Sequence, residues 1–571
     1  MDNINFGNIQ KPRNWQREAT VKALNWYINK NKKHFLINAA PGSGKTICGS
    51  MIAAALIHDK KIENVIVIAP RTKVVEQWTK DFKFVTNRTM MVITPQTSDI
   101  IGEGVDACST WNSINNLLDA YQKICNDKNT LVICDENHHA AVDAAWGHGA
   151  QGAFKNAKYV LILTGTPIRS DNKKTAWLHY SDGGKLDHPV DGSYELTYGE
   201  AIIQNYCRPI YFEKYDGEFK VETKGKFVAT VSSKNGKVYE DDYDKLDLKE
   251  LDSSMEFYKL ARSIPINPKD NNSVEYQNSY HRRLLETGIE KLNEIENRVP
   301  NAGGLIIAPN IPVAKYMAVL LKDHLNEDPV LVHSREKGAD DRITAFKESK
   351  KRWIVSVNMI SEGVDIPRLR VLIYLPNPTT ELYFRQAMGR VVRSMGSDDD
   401  SSSTVIMPRH EIFEKWARRI KNEMIDAGVP PVKHKNTKKC PSCHEECSLK
   451  STECHECGHI FPTRKTNFKP CLNSECQQLN EISSKECVSC GTSFKNEFVI
   501  SLKTVMLDGG IADGIDLTPE DLSKSMKQWH ILERDLKEGS LSQGEIDILA
   551  DFRKKHPPEI LSKLISRLSK E

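Results

Sequence analysis

Residues 34–46, HFLINAAPGSGKT, constrain the fold more than any other stretch of the chain. An apolar, strand-sized run (His34–Asn38) passes directly into a loop of small residues, and the loop into helically patterned sequence at Thr46–His58. Strand, loop and helix in this order form the setting of a phosphate-binding loop. Glycines let the backbone close around phosphates, the helix N-terminus supplies N–H donors, and a lysine reaches the β- and γ-phosphates. Here the loop is Ala39–Thr46, with Ala39 where the motif's first glycine would stand. Ala40, Pro41, Gly42, Ser43, Gly44 and Lys45 are the candidate phosphate contacts, and Thr46 offers a hydroxyl to Mg²⁺. A chance Gly-Lys-Thr on a polar surface would have neither the strand before it nor the helix after it.

The rest of the first third repeats the theme. Val65–Ala69, Leu131–Cys134 and Tyr159–Thr164 are short apolar runs separated by helical stretches such as Thr72–Phe82. Continuous apolar strands of this length suit a parallel sheet covered on both faces. The pattern returns at Gly304–Ala308, Pro329–His333, Trp353–Val357, Val371–Leu375 and Thr404–Met407. The fold class is therefore α/β, with two doubly wound parallel-sheet domains expected at 1–172 and 173–428. A more polar connecting region near 214–270 belongs to the second. There, Ser233-Lys234-Asn235-Gly236 between Phe227–Ser232 and Lys237–Glu240 predicts a hairpin, and Ser273–Arg298 reads as a long helix. At 571 residues the chain has room for about three or four domains.

Leu131–Cys134 runs into Asp135-Glu136-Asn137-His138. A carboxylate at the end of a buried strand beside a phosphate loop is what Mg²⁺·ATP requires. Asp135 is the candidate metal ligand, and Glu136 the candidate base that orients and deprotonates water.

The cysteines are unevenly spread. Five of the 14 are scattered before residue 440, and nine fall between Cys440 and Cys490. Cys440-x₂-Cys443 and Cys454-x₂-Cys457 have the spacing of a four-thiolate structural zinc ribbon, expected at 436–462. Cys471-x₄-Cys476 and Cys487-x₂-Cys490 form a second, wider set at 468–495. Cys447, His444, His455 and His459 stand close enough in sequence for a ligand exchange in the first. A small helical unit is expected at 515–571.

The ordered motifs resemble the superfamily 2 helicases of the DExH kind over Arg13–Ala417. Arg13-Asn14-Trp15-Gln16 is similar to the family's adenine-reading segment, which would place Gln16 on the base. Ala69-Pro70-Arg71 and Ser109–Trp111 look like strand-contacting motifs, and Thr164-Gly165-Thr166-Pro167 like the motif coupling hydrolysis to strand movement. Ser356–Pro367 is similar to the fifth motif, which implies nucleotide and strand contacts around Gly363 and Asp365. Gln386–Arg393, QAMGRVVR, matches the sixth, Q-x-x-G-R-x-x-R. By that resemblance Gln386, Arg390 and Arg393 are catalytic residues, and Arg390 and Arg393 point at the γ-phosphate across a cleft between two RecA-like domains. The motor followed by cysteine modules resembles RadD-type repair helicases and restriction-enzyme motors.

The resemblance implies an ATP-hydrolysing nucleic-acid motor with ATP, Mg²⁺ and two structural Zn²⁺ as cofactors. DNA is the expected partner ahead of RNA, because Thr-Gly-Thr-Pro and QAMGRVVR suit DNA-directed members. The net charge of +3 does not itself announce a nucleic-acid binder, so contact would come from local patches. One such patch is Arg409–Lys439, where nine Lys/Arg face four acids, nine minus four leaving +5. A protein partner docking on the ribbons or the tail is the other expectation. No run reaches the ~20 apolar residues of a membrane span, and Met1–Lys11 lacks a signal peptide's apolar core, so a cytoplasmic location is expected.

Overall fold

In the computed structural model, the described residues are 4–94, 96–97, 105–136, 145–165, 177–179, 187–223, 226–239, 256–264, 278–333, 338–357, 366–376, 380–396, 399, 401–430, 437–440, 442–443, 445–448, 451–461, 468–471, 476, 478–481, 484–492, 494 and 497–501. The expected helical unit at 515–571 lies outside them.

Seven strands form the first sheet: β1 (His34–Ala39), β2 (Asn64–Ala69), β3 (Met90–Val92), β4 (Asp106–Thr110), β5 (Thr130–Asp135), β6 (Tyr159–Thr164) and β7 (Ser193–Leu196). Their order is β3-β4-β2-β5-β6-β1-β7, and every pairing is parallel. The central strands show why the runs are wholly apolar. Val65 and Val67 bury into one hydrophobic cluster and Ile66 and Ile68 into the other, and Leu131 and Ile133 part from Val132 and Cys134 in the same way. Alternate side chains therefore enter two separate cores, one per face. The sheet also reaches past residue 172, since β7 adds to the edge beside β1.

The second sheet is parallel as well. It comprises β8 (Ile210–Tyr215), β12 (Gly303–Ile307), β13 (Val330–Val332), β14 (Trp353–Ser356), β15 (Leu369–Tyr374) and β16 (Ser403–Pro408), ordered β13-β14-β12-β15-β16-β8. The long helix of this half spans Tyr280–Glu296 and packs on β15. These two sheets and their helices are the two RecA-like domains. Among the described residues no helix is long and apolar enough to cross a membrane.

The polar connecting region builds a small sheet of its own. β9 (Glu218–Thr223), β10 (Lys226–Ser232) and β11 (Gly236–Tyr239) form an antiparallel meander, with the turn where the sequence placed it. Two short hairpins follow the second domain, β17 (Thr437–Lys439) with β18 (Glu446–Ser448) and β19 (Phe468–Pro470) with β20 (Leu479–Glu481). Beyond them the chain returns. β21 (Glu497–Ser501) pairs in parallel with β9, so the order is β11-β10-β9-β21.

Aromatic packing secures that return. Phe498 is buried, with its ring centroid 5.6 Å from Phe219 and 5.4 Å from Tyr280 at the head of the long helix. The Arg283 guanidinium sits 5.1 Å from the Phe494 ring while ion-pairing with Glu286 at 2.7 Å. Truncating a buried Phe costs about 3–5 kcal/mol. Phe498→Ala is therefore expected to lower the thermal midpoint and to speed amide exchange in β9 while leaving β1–β6 unchanged; equal exchange in both sheets would show that β21 bears no load.

Candidate functional site

The carboxyl ends of β1, β5 and β6 meet the segment Arg385–Arg393 of the second domain around a cleft of about 310 Å³. Its lining includes Pro41, Gly42, Gly44, Lys45, Thr46, Asp81, Asp135, Glu136, Gly165, Arg385, Gln386, Arg390 and Arg393. Residues from both domains thus face one small-molecule-sized cavity.

The loop after β1 is shaped by Gly42 at φ +79° and Gly44 at φ +93°, the left-handed region open to glycine. Gly44 precedes the helix Lys45–His58, whose first turn carries no side-chain cap. That leaves the helix N-terminus directed at the cleft, the usual arrangement for an anion. Ala40 N–H donates to the Leu196 carbonyl of β7 at 3.0 Å, tying the loop to the sheet edge. The Lys45 ammonium lies 3.1 Å from the Ala39 carbonyl and 3.9 Å from Glu136.

Asp135 ends β5 fully buried. Its side chain accepts from Trp78 Nε1 at 2.8 Å, and its carbonyl from Trp111 Nε1 at 2.9 Å. Burial, reinforced by the charge of Glu136, raises the Asp135 carboxyl well above its ordinary range. A cation between Thr46 and Asp135 would relieve that cost, so the donor set fits Mg²⁺. Glu136 holds φ +50°, uncommon for a residue with a side chain and frequent at functional sites.

Sequence reading did not reach several of the contacts. Asp81 lines the cleft and accepts from the Thr46 hydroxyl at 2.6 Å. Trp78, on the same helix, orients Asp135. Gln16, which the resemblance places on a base, is held here by backbone groups. Its amide nitrogen donates to Gly44 O at 3.0 Å and its amide oxygen accepts from Arg13 N–H at 3.1 Å. Arg13 Nη1 and Trp15 Nε1 both donate to Ser43 O, at 2.6 and 3.2 Å. The Arg13–Gln16 segment thus clamps the phosphate loop from behind, and Gln16 is not among the cleft-lining residues. Thr166, Pro167, Gly363 and Asp365 lie outside the described residues, as do Asn137, His138 and His139.

Across the cleft, a side chain at Gly389 would meet Pro41 Cβ at 2.6 Å, and one at Gly42 would meet Arg393 Cγ at 2.8 Å. Both glycines are required for the domains to approach this closely. Arg390 and Arg393 line the same side. Arg385 is held by Glu381 and Glu423, at 3.1 and 2.5 Å, and serves the packing of its own domain.

The cysteine sets are the second candidate site. Cys440, Cys443, Cys454 and Cys457 place four sulfurs within 4.8 Å of one another, as do Cys471, Cys476, Cys487 and Cys490. Sulfur pairs stand at 3.5 and 3.6 Å in the first set and 3.4 and 3.8 Å in the second. Thiolates about 2.3 Å from a tetrahedral Zn²⁺ are about 3.8 Å apart, so both sets fit that ion. Cys447 is buried beside the first set, 3.7 Å from His455 Nδ1, and is not one of its four ligands. Metal analysis of the purified chain is expected to find two zinc ions, and Cys454→Ser one; no zinc in the wild type would remove both centres.

The ResIII family model, described as the res subunit of type III restriction enzymes, matches residues 9–169, and the helicase conserved C-terminal domain model matches residues 289–395. Uncharacterized protein Rv2917 of Mycobacterium tuberculosis is 31% identical over 406 residues, 68% of this chain and 60% of that protein. The chain thus spans about three fifths of the length of the mycobacterial relatives it matches. DNA 3'-5' translocase XPB2 of Sulfurisphaera tokodaii is 25% identical, covering 67% of this chain and 78% of that one. Among solved structures, the ATP-dependent Type ISP restriction-modification enzyme LlaBIII bound to DNA is similar at TM-score 0.47 and 17% identity, covering 73% of this chain and 30% of that chain.

Proposed function

The chain belongs to the superfamily 2 helicases of the ResIII-like kind, and from that premise we propose that it hydrolyses ATP to translocate on, unwind or remodel DNA. The observation that carries the reading is the shared cleft. The phosphate loop and the Asp135–Glu136 pair come from one domain, and Gln386, Arg390 and Arg393 from the other.

In this reading Lys45 meets the β- and γ-phosphates, and the loop from Ala40 to Gly44 wraps them, with the Gly42 and Gly44 N–H groups as donors. Thr46 and Asp135 would hold Mg²⁺, which would supply charge neutralisation at the phosphates. Glu136 orients the attacking water and takes its proton. Arg390 and Arg393 bring positive charge to the γ-phosphate as negative charge develops there, an effect worth about 10³–10⁵ in rate in other NTPases. Because the arginines and the loop belong to different domains, nucleotide state sets the width of the cleft, and alternating grip converts cleft motion into steps along a strand. Gly363 and Asp365 are assigned to nucleotide and strand contact by family resemblance.

DNA is favoured over RNA by the Thr164–Pro167 and Gln386–Arg393 sequences and by the relative named a DNA 3'-5' translocase. The basic approach Arg409–Lys439 and the two ribbons provide further strand contact. We place the activity in replication, repair or recombination, on single-stranded or branched DNA. Motor duty in a restriction or defence complex is the alternative that the ResIII match keeps open.

Steady-state ATP hydrolysis by the zinc-replete chain, alone and with single-stranded DNA, forked DNA or RNA, tests this. DNA is expected to stimulate, and Lys45→Ala to abolish, turnover; Arg393→Ala is expected to lose about 10³-fold or more. Stimulation by RNA alone would reassign the substrate. Turnover indifferent to every nucleic acid would indicate a motor that needs a missing partner.

A further inference from the structure

The segment joining the two domains, between β7 and β8, crosses the cleft on its way from one sheet to the other. Cys207 donates its thiol to Pro41 O at 3.2 Å and forms an isolated β-bridge with Arg393. The next residue, Arg208, gives its backbone N–H to Val392 O at 2.7 Å. One dipeptide thus touches the phosphate loop and the arginine segment together.

The Arg208 side chain goes further. It is 1% exposed, and its guanidinium donates to Val391 O at 2.8 Å, Leu369 O at 2.9 Å, Pro367 O at 3.2 Å and Asp399 Oδ2 at 2.6 Å. Arg370, equally buried, shares the partners Asp399 at 3.4 Å and Pro367 O at 2.6 Å. Asp399 is braced in turn by Met395 N–H at 2.8 Å. Burial alone would raise the Asp399 carboxyl; the two arginines outweigh it and hold it at about 2. Burial brings Arg370 down to about 9, still above neutral pH. A planar fork with five donors can bridge this many acceptors in fixed geometry, which an ammonium cannot.

We propose that Arg208, locked by Asp399 and Arg370, is a positioning residue that sets where Arg390 and Arg393 stand relative to the phosphate loop. The inference rests on the functional reading above. Val391 and Val392, the carbonyls Arg208 and its N–H hold, lie between the two arginines in sequence, so a shift at Arg208 moves both. Side chains that act on a developing charge need placement within about 0.5 Å, and a misplacement of about 1 Å can cost a hundredfold. A triad that only stabilised the core would affect nucleotide binding and turnover together. A positioning triad affects the transition state selectively.

The test uses the full zinc-loaded chain with Asp399→Asn, which keeps the size of the side chain and removes its charge, and with Arg208→Lys. Turnover and KM for ATP are measured, together with affinity for fluorescent ADP with and without aluminium fluoride. The expected result is a loss of about tenfold to a hundredfold in kcat with KM within about twofold. ADP affinity should hold while the gain from aluminium fluoride disappears, and Asp399→Glu should restore part of the rate. Should Arg208→Lys fail to fold, Asp399→Asn carries the comparison. A folded Asp399→Asn with wild-type kcat, or equal weakening of ADP and ADP–aluminium fluoride, overturns the proposal. Absence of ATP hydrolysis in the wild type under every condition would instead defeat the functional reading beneath it.

Discussion

Two domains that share one small cavity can do so only if their backbones come within touching distance, and here that approach is made between Pro41 and Gly389. A methyl group added at Gly389 would collide with Pro41, and one at Gly42 with Arg393. Much else in the cleft follows from it. Arg393 can lie along the phosphate loop because Gly42 has no side chain to hold it off. The loop keeps a position where the second domain can meet it because Ala40, Ser43 and Gly44 are each tied from behind, to Leu196, Arg13, Trp15 and Gln16. Parallel sheets supply the rigidity behind both surfaces, since every central strand is buried on two faces.

Polar groups in the interior do the fine placement. Trp78 and Trp111 fix Asp135, Asp81 holds the Thr46 hydroxyl, and Arg208 collects three carbonyls and one carboxylate. Buried charges are costly unless paired and fully hydrogen-bonded, and such networks favour one arrangement over its neighbours. Gln16 also acts on the site through backbone. Its amide is engaged at both ends with backbone, so its effect reaches the cleft through the shape of the loop.

The sheets were legible in the sequence where burial is two-sided, because only there does the strand become a continuous apolar run. β4 escaped notice: its residues Asp106–Thr110 read as polar, and Asp106 is tolerable inside only because Arg88 and the Val65 N–H meet it. β3, β7 and β8 are short or lie at sheet edges, where side chains alternate between core and water and the pattern dilutes. The phosphate loop, the Asp135–Glu136 pair and the arginine motif could be read because each is local and chemically unusual. Asp81, Cys207, Arg208 and Asp399 could not, since their partners lie tens to nearly two hundred residues away and nothing beside them in the chain marks the meeting.

β21 changes what kind of object the cysteine modules are. Had the chain ended at its second module, both would hang from the helix Glu411–Asp426 by a single thread. Because the chain comes back to β9, both modules lie within a loop whose two ends are fastened to the same half of the molecule. In architectural terms they form a cassette rather than a tail. The reach of such an insert is bounded by the length of the loop. Both modules are thereby carried with one half of the molecule, anchored to it at two points.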